Sequence, residues 1–331
     1  MTSPSPDLVF DILLSYQRSA ALLTALELDL FHAVGATSGD VPSLALQCQA
    51  SQRGIRILCD YLTVLGLLFK VDGRYQPTPT SAAFLDSQSP AYLGRGARFL
   101  SHPHMRQPFD QLTQIVRTGR PLLPEDAANP AWVEFAHGMA AVTGPHAAPM
   151  AEFVLQGLTG PLRVLDLAAG HGLFGIALAQ LHPEARIVAV DWPDVLAVAR
   201  ENAQLAGVSR RYVTLPGDAF EVAFEGPFDI VLIANFLHHF DAPTCTALLR
   251  KVRAAMRPGG TLAALEFVPN EDLVSPPAAA AFSLVMLATT AAGDAYTFPE
   301  LEAMYHAALF GQVTAHSLPT GPGTVVLGRA V

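Results

Sequence analysis

The sequence predicts an α/β protein in which a mostly parallel sheet, covered by helices on both faces, follows an all-α, winged-helix-like part. Three observations predict it. From about residue 160, short apolar runs alternate with helical patterns, as parallel strands joined by crossover helices require. The last twenty residues read as two strands around a Gly/Pro turn, an antiparallel hairpin closing the sheet. The first half carries apolar residues at helical spacing, with one hairpin signal inside it. These features divide the chain into 1–157 and 158–331.

In the first part, DLVFDILLSYQRSAALLTALELDLFHAV (7–34) is apolar at helical spacing almost throughout. Residues 40–85 then read as a short helix, a turn, a longer helix and two short strands with Asp72-Gly73 at the tip. Further helices follow from Pro90 to about Gly157, broken by the turn-rich RTGRPLLPEDAANP (117–130). In the second part, strands are read in RVLDLA, RIVAVD, YVTLPGD, FDIVLIAN and GGTLAALEF. Helices are read in FGIALAQLH, DVLAVARENAQLAG and TCTALLRKVRAAM.

Half of the 331 residues are apolar and only 15% are charged, so the chain can bury real cores and is not a disordered segment. A net charge of −9 offers nothing to attract nucleic acid or an anionic membrane. The start, MTSPSPDLVF, lacks the basic and apolar regions of a secretory signal. AAAAFSLVMLATTAAG (278–293) is shorter than a membrane span and reads as a buried helix. Cys48, Cys59 and Cys245 are scattered and odd in number, which suits a reduced cytoplasm and neither a disulfide framework nor a zinc site.

The first strand runs into LDLAAGHGLFG, where Gly170 and Gly172 permit a sharp turn and close approach to a ligand. A dinucleotide fingerprint would fall on Ala168, Gly170 and Leu173, and two of the three fit poorly. Asp166, Asp191 and Asp218 end three successive strands on one sheet edge. Asp191 is placed to accept from both hydroxyls of a ribose, and Asp218 from an adenine amino group. None of these loops contains Lys or Arg, which a phosphate would want. A cationic nucleoside without phosphate fits, and S-adenosylmethionine is one.

With these motifs, residues 160–331 resemble the class I S-adenosylmethionine-dependent methyltransferases. The whole chain resembles the O-methyltransferases of the caffeic acid and plant phenol type, with bacterial relatives in secondary metabolism. LDLAAGHG matches the glycine loop, with Ala168 where the first glycine is usual, and VDWPDVL matches the acidic-x-Pro-x-Val turn. The resemblance implies a Rossmann-like catalytic domain, a homodimer formed through the N-terminal domain, a small-molecule acceptor and release of S-adenosylhomocysteine. It assigns Asp191 to the ribose, Trp192 to a place beside the adenine, and Asp218, Ala219, Phe220 and Asn235 to the same ligand. It also implies that Phe135 and Met139, in FAHGM, line the substrate pocket.

LHHFD matches the family's Leu-His-Asp-Trp stretch, and RPGGTLAALEF the strand that ends in a catalytic-site glutamate. By position His238 is then the general base, Glu266 its orienting partner and His239 its neighbour. An imidazole titrates near neutrality and can take a phenolic proton at cellular pH. The family's second acid falls on Ala295, with Asp294 one residue earlier. That departure leaves carbon or nitrogen methylation, or cofactor binding without transfer, as alternatives.

Phe135, Met139 and Val142 share a helical face, which read alone is ordinary core packing; His137 lies off it. His102 and His104 form a His-x-His pair without a nearby carboxylate or cysteine, and no metal is expected. A DNA-binding regulator is the remote alternative. Its recognition helix would offer Gln52, Arg53 and Arg56 before turning apolar.

Overall fold

The computed structural model describes residues 4–122, 131–319 and 321–331. The chain divides into two compact units, Met1–Ser101 and His102–Val331.

The first unit contains α1 (Asp7–Leu13), α2 (Ser15–Glu27), α3 (Leu30–Ala36), α4 (Val41–Gln47) and α5 (Gln52–Val64). The hairpin β1 (Leu68–Val71) and β2 (Arg74–Pro77) follows, then α6 (Pro79–Phe84) and α7 (Gly94–Leu100). Local chemistry sets the ends. The Asp40 carboxylate accepts from the Ser43 N–H at the start of α4, and the Ser51 hydroxyl from the Gly54 N–H at the start of α5. Asp72 and Gly73 both have positive φ, 50° and 77°, as a two-residue type I′ hairpin requires. The core gathers Leu26, Leu30, Phe31, Leu44, Ile55, Leu62, Leu68 and Tyr75. Asp60 accepts from Lys70 at 2.5 Å, Tyr75 Oη at 2.7 Å and Arg56 at 3.1 Å, tying the hairpin to α5. The long apolar stretch from residue 7 breaks into three helices, and α1 buries none of its residues.

The second unit begins with α8 (Pro103–Asp110), α9 (Leu112–Thr118), α10 (Ala131–Thr143) and α11 (Ala147–Leu155). Then come β3 (Leu162–Leu167), α12 (Leu173–Leu181), β4 (Ala185–Asp191), α13 (Pro193–Leu205), β5 (Tyr212–Pro216), β6 (Phe228–Ala234) and α14 (Ala242–Ala254). After β7 (Met256–Phe267) follow α15 (Pro277–Ala280), α16 (Phe282–Thr289), α17 (Phe298–Ala307), β8 (Phe310–Ser317) and β9 (Gly323–Ala330). The boundary between units lies at residue 101, not at the composition change near 157. Helices α8 and α9 contact α16, α10 contacts α13, and α11 contacts α12, so residues 102–157 pack with the sheet. From residue 123 onward, the turn-rich 117–130 stretch lies outside the described residues, as does the His104 side chain.

The seven-stranded sheet has the order β5-β4-β3-β6-β7-β9-β8, parallel through β7 and antiparallel at β9 and β8. Alternation along the strands sorts the core into two faces. Val164, Ile187, Ile230, Leu232 and Leu265 pack with α11, α12 and α13. Leu165, Leu167, Val231, Ile233 and Leu262 pack with α14 and α17. The chain winds outward from β3 to β5, then returns to β6 on the other side of β3. The crevice at the carboxyl ends of β3 and β6 is the topological switch point, where open α/β sheets bind ligands. The apolar 278–293 stretch is not one buried helix. It forms two short helices, α15 and α16, that bury Ala279, Met286 and Ala288 while Leu284 stays 44% exposed. Among the described residues no single helix is long and apolar enough to cross a membrane.

Ile230 is fully buried in the central strand pair, whereas Val213 on edge strand β5 is 61% exposed. Ile230→Ala should therefore lower unfolding free energy by about 2–5 kcal/mol. Val213→Ala should change it by about 0.5 kcal/mol or less, both read by urea denaturation.

Candidate active site

Between β3 and α12 the backbone turns through three positive φ values: Ala168 at 53°, Gly170 at 56° and Gly172 at 77°. Gly172 is required by close approach. A Cβ there would lie 2.5 Å from Tyr212 Oη and 2.9 Å from Ala199 Cβ. At Gly170 a Cβ would meet nothing within 4 Å, so the loop presents bare backbone to open space. Alanine at 168 adopts this conformation at a cost of roughly 1–2 kcal/mol.

Two acidic side chains, Asp191 and Asp166, hold the loop and the start of α12. Asp191 Oδ2 accepts from the Gly170 N–H at 2.8 Å, and its Oδ1 from the Trp192 N–H at 2.7 Å. Burial pushes the Asp191 pKa up, against those two hydrogen bonds. Asp166 is not a solvated strand end. It is buried under the loop, accepts from the Gly175 N–H at 3.0 Å, and burial pushes its pKa up to about 8. Further along the edge, Asp218 Oδ1 accepts from the Phe220 N–H at 2.8 Å. The Ala219 carbonyl accepts from Lys251 Nζ at 3.0 Å. Phe220 packs on Phe240 at 4.9 Å. Asn235 takes φ 54° and donates its N–H to the Leu265 carbonyl at 2.8 Å. The loops themselves lack a cation, but α14 supplies Lys251 from a distant stretch of sequence. The set offers carboxylate acceptors, an indole and bare backbone, with no Arg or Lys in the glycine loop. That suits the hydroxyls and base of a nucleoside without phosphate.

The double histidine lies in a single 3-10 turn, Leu237–His239, after β6. Glu266, on β7, anchors that turn. Its Oε1 accepts from the Phe236 N–H at 3.2 Å and the Leu237 N–H at 2.8 Å, while Oε2 lies 2.5 Å from His238 Nδ1. An anchored carboxylate is an acceptor, so the neutral imidazole carries its proton on Nδ1 and its lone pair on Nε2. No described residue hydrogen-bonds Nε2. The His238 ring is buried, edge-on to Phe282 at 4.8 Å, and Phe282 stacks on Phe267 at 3.9 Å. The His239 ring turns instead toward Trp132, at 5.8 Å, and Phe240, at 6.2 Å. Burial, then neighbouring His238, holds the His239 pKa well below the usual imidazole value. Behind the turn, a Cβ on Gly293 would lie 2.1 Å from the His238 carbonyl, and Tyr296 Oη donates to the Phe240 carbonyl at 2.5 Å. Ala295 is buried, and exposed Asp294 only accepts from the Ala295 N–H at 2.8 Å. The position expected for a second acid thus holds an alanine, and Glu266 is the carboxylate that His238 meets.

Helix α10 runs alongside both loops. Ala136 packs with Val195 and Val198 of α13, together with Trp132 and Trp192. Phe135 meets Trp132 edge-on at 5.7 Å, which connects it to His239 through one ring. Phe135, Met139 and Val142 are half-buried, and His137 is exposed. The described residues contain no group of three or more His, Cys, Asp or Glu that could hold a metal. Sequence reasoning missed Trp132, Phe282, Gly293, Tyr296 and the Thr143–His171 hydrogen bond. Of these only His171 carried a signal, its place between the two loop glycines.

A family model described as a methyltransferase domain matches residues 164–260, and one described as an O-methyltransferase dimerisation domain matches residues 10–87. The 3-hydroxy-5-methyl-1-naphthoate 3-O-methyltransferase of Streptomyces sahachiroi is 30% identical over 86% of this chain and 84% of its own length. A solved structure of a candidate O-methyltransferase from Nostoc punctiforme PCC 73102 is 46% identical, covers 99% of this chain and 100% of that chain, and superposes with a TM-score of 0.95. Human N-acetylserotonin methyltransferase in complex with S-adenosylmethionine, at 22% identity, shares the fold over 99% of both chains with a TM-score of 0.85.

Asp166 has a raised folded pKa, so its contribution to stability is complete below the unfolded value of 3.8 and lost as pH rises toward about 8. Relative to Asp166→Asn, the native protein should lose on the order of 1 kcal/mol per pH unit between pH 5 and 8 in urea titrations. A pH-independent difference would mean that Asp166 is already ionised in the fold.

Proposed function

The chain belongs to the S-adenosylmethionine-dependent O-methyltransferases, and from that premise we propose that His238 deprotonates a hydroxyl on a small aromatic or polyketide-like metabolite. The observation that carries this reading is the buried His238–Glu266 pair beside the cofactor loop. S-adenosylmethionine, when bound, supplies an electrophilic methyl and departs as the neutral thioether S-adenosylhomocysteine.

His238 Nε2 takes the hydroxyl proton as the oxygen becomes a nucleophile. The Glu266 carboxylate, 2.5 Å from Nδ1, fixes the tautomer and stabilises the imidazolium. Base catalysis of this kind contributes about 10²–10⁴-fold. His239 is the weaker candidate: burial opposes the charge that a base must acquire, and the Glu266 carboxylate that offsets this bonds the His238 ring. It supports His238 and borders Trp132. Asp191 has lone pairs left for the ribose hydroxyls, and Trp192 flanks the adenine. Asp218, with Ala219, Phe220 and Asn235, completes the nucleoside side. Ala168, Gly170 and Gly172 let the loop approach, and Asp166 braces it from below. Phe135 and Met139 on α10 offer a flat ring and an adaptable thioether for an aromatic acceptor. An aromatic acceptor also agrees with the naphthoate named for the Streptomyces relative.

A homodimer is supported by α1. Its Leu8, Val9, Phe10, Ile12 and Leu13 are all more than half exposed, and a seven-residue helix does not hold without packing. A second copy is the occupant that the dimerisation-domain match supports. Residues 102–157 would serve as the substrate-lining part of the protein. The three cysteines are buried and unpaired, which suits a reducing cytoplasm. Arg56, on the would-be recognition helix, is engaged by Asp60.

His238→Ala should retain S-adenosylhomocysteine binding while methyl transfer to phenolic acceptors falls about 10²–10⁴-fold. Asp191→Asn should weaken that binding first, and equal calorimetric affinity would refute the ribose assignment. Phe10→Asp with Ile12→Asp should convert a dimer to a monomer in light scattering. A monomeric native protein would refute the dimer.

A further inference from the structure

We propose that Thr143 and His171 form a positioning link that holds helix α10 in register with the glycine loop. The proposal rests on the reading above, in which the loop holds the cofactor and α10 lines the acceptor.

His171 sits between Gly170 and Gly172, and its ring is buried against Phe174 at 5.7 Å. Its Nδ1 accepts from the Leu173 N–H at 3.1 Å. In a neutral imidazole this puts the proton on Nε2, which donates to Thr143 Oγ1 at 2.8 Å. The Thr143 hydroxyl donates in turn to the Met139 carbonyl at 3.1 Å, one turn back along α10. The direction of every bond is fixed as long as the ring stays neutral, and burial pushes the His171 pKa down to about 4. From its other side the loop is held by Asn202 of α13, whose Nδ2 donates to the His171 carbonyl at 2.8 Å.

The chain of bonds ends on the helix turn that bears Met139. At its other end the same helix meets the base loop, where Trp132 lies edge-on to His239 at 5.8 Å. The thirteen residues of α10 thus bridge from the cofactor loop to the turn that carries His238. A helix moves as a unit, so displacement of the loop when a ligand seats there is carried to Phe135 and Met139. Linkage makes the effect reciprocal: an acceptor that orders α10 tightens the loop by the same factor. A hydrogen bond that served only to cap the helix would stabilise α10 equally with the loop empty or filled.

The test uses full-length protein, S-adenosylhomocysteine and two substitutions. Thr143→Val keeps shape and removes the hydroxyl, and Thr143→Ser keeps the hydroxyl. Hydrogen exchange would be followed in α10 and α13, with affinity from calorimetry. In the native protein the ligand should slow exchange in both helices. In Thr143→Val it should still slow exchange in α13 but no longer in α10, with binding roughly 2- to 10-fold weaker, the net worth of one hydrogen bond. Thr143→Ser should restore both. Ligand-induced protection of α10 that survives in Thr143→Val, or is not restored by serine, overturns the link and leaves the cofactor reading intact. A native protein that binds no S-adenosylhomocysteine overturns the cofactor reading itself, and the link falls with it.

Discussion

The carboxylate of Glu266 is the interaction on which the site depends. It is buried on β7 and accepts from two backbone N–H groups and one imidazole. An ion so placed is tolerable only because each oxygen is engaged. Those bonds shape the turn after β6, so the posture of His238 is set by the chain's need to satisfy a buried charge. The need originates in the sheet. Pairing of Ala234 with Leu265 in the parallel β6–β7 ladder brings residues 235–238 level with Glu266. The antiparallel β9 pairs along the other edge of β7, with Thr324 opposite Glu266.

A second carboxylate does comparable work at the other side of β3. Asp191, at the end of β4, restrains the glycine loop through the Gly170 N–H, while Asp166 restrains the start of α12 through the Gly175 N–H. Both acids bond backbone rather than side chains. Loop geometry is therefore written into the positions of strand ends, which the hydrophobic alternation of the sheet already fixes. Glycine loop and double-histidine turn thus share one origin, the carboxyl edge of β3, β4, β6 and β7.

Much of this was legible in the sequence for physical reasons. Strand alternation, helix caps and turn glycines are local, so the β/α order, the Asp72-Gly73 hairpin and the antiparallel close could be read directly. Glu266 and His238 stand out by their resemblance to family motifs, and the β6–β7 register is what brings the two together. What could not be read depends on distant contacts. Lys251 reaches the Ala219 carbonyl from another helix, and Thr143 finds His171 across 28 positions. The break of 278–293 into α15 and α16, and the exposure of α1, depend on what each helix packs against. Composition shifts near residue 157, but contacts divide the chain at 101, because α11 is an apolar helix packed on the sheet and α10 packs on α13.

One feature of α10 gives the protein an optical property. The chain has two tryptophans, Trp132 and Trp192, and both lie in the small cluster between α10 and α13. One borders the imidazole of His239, and the other follows the Asp191 carboxylate. All indole emission from a protomer thus originates in the cluster between α10 and α13, with none from residues 1–101. With excitation that selects indole over the seven tyrosines, intrinsic fluorescence reports on this cluster without a label.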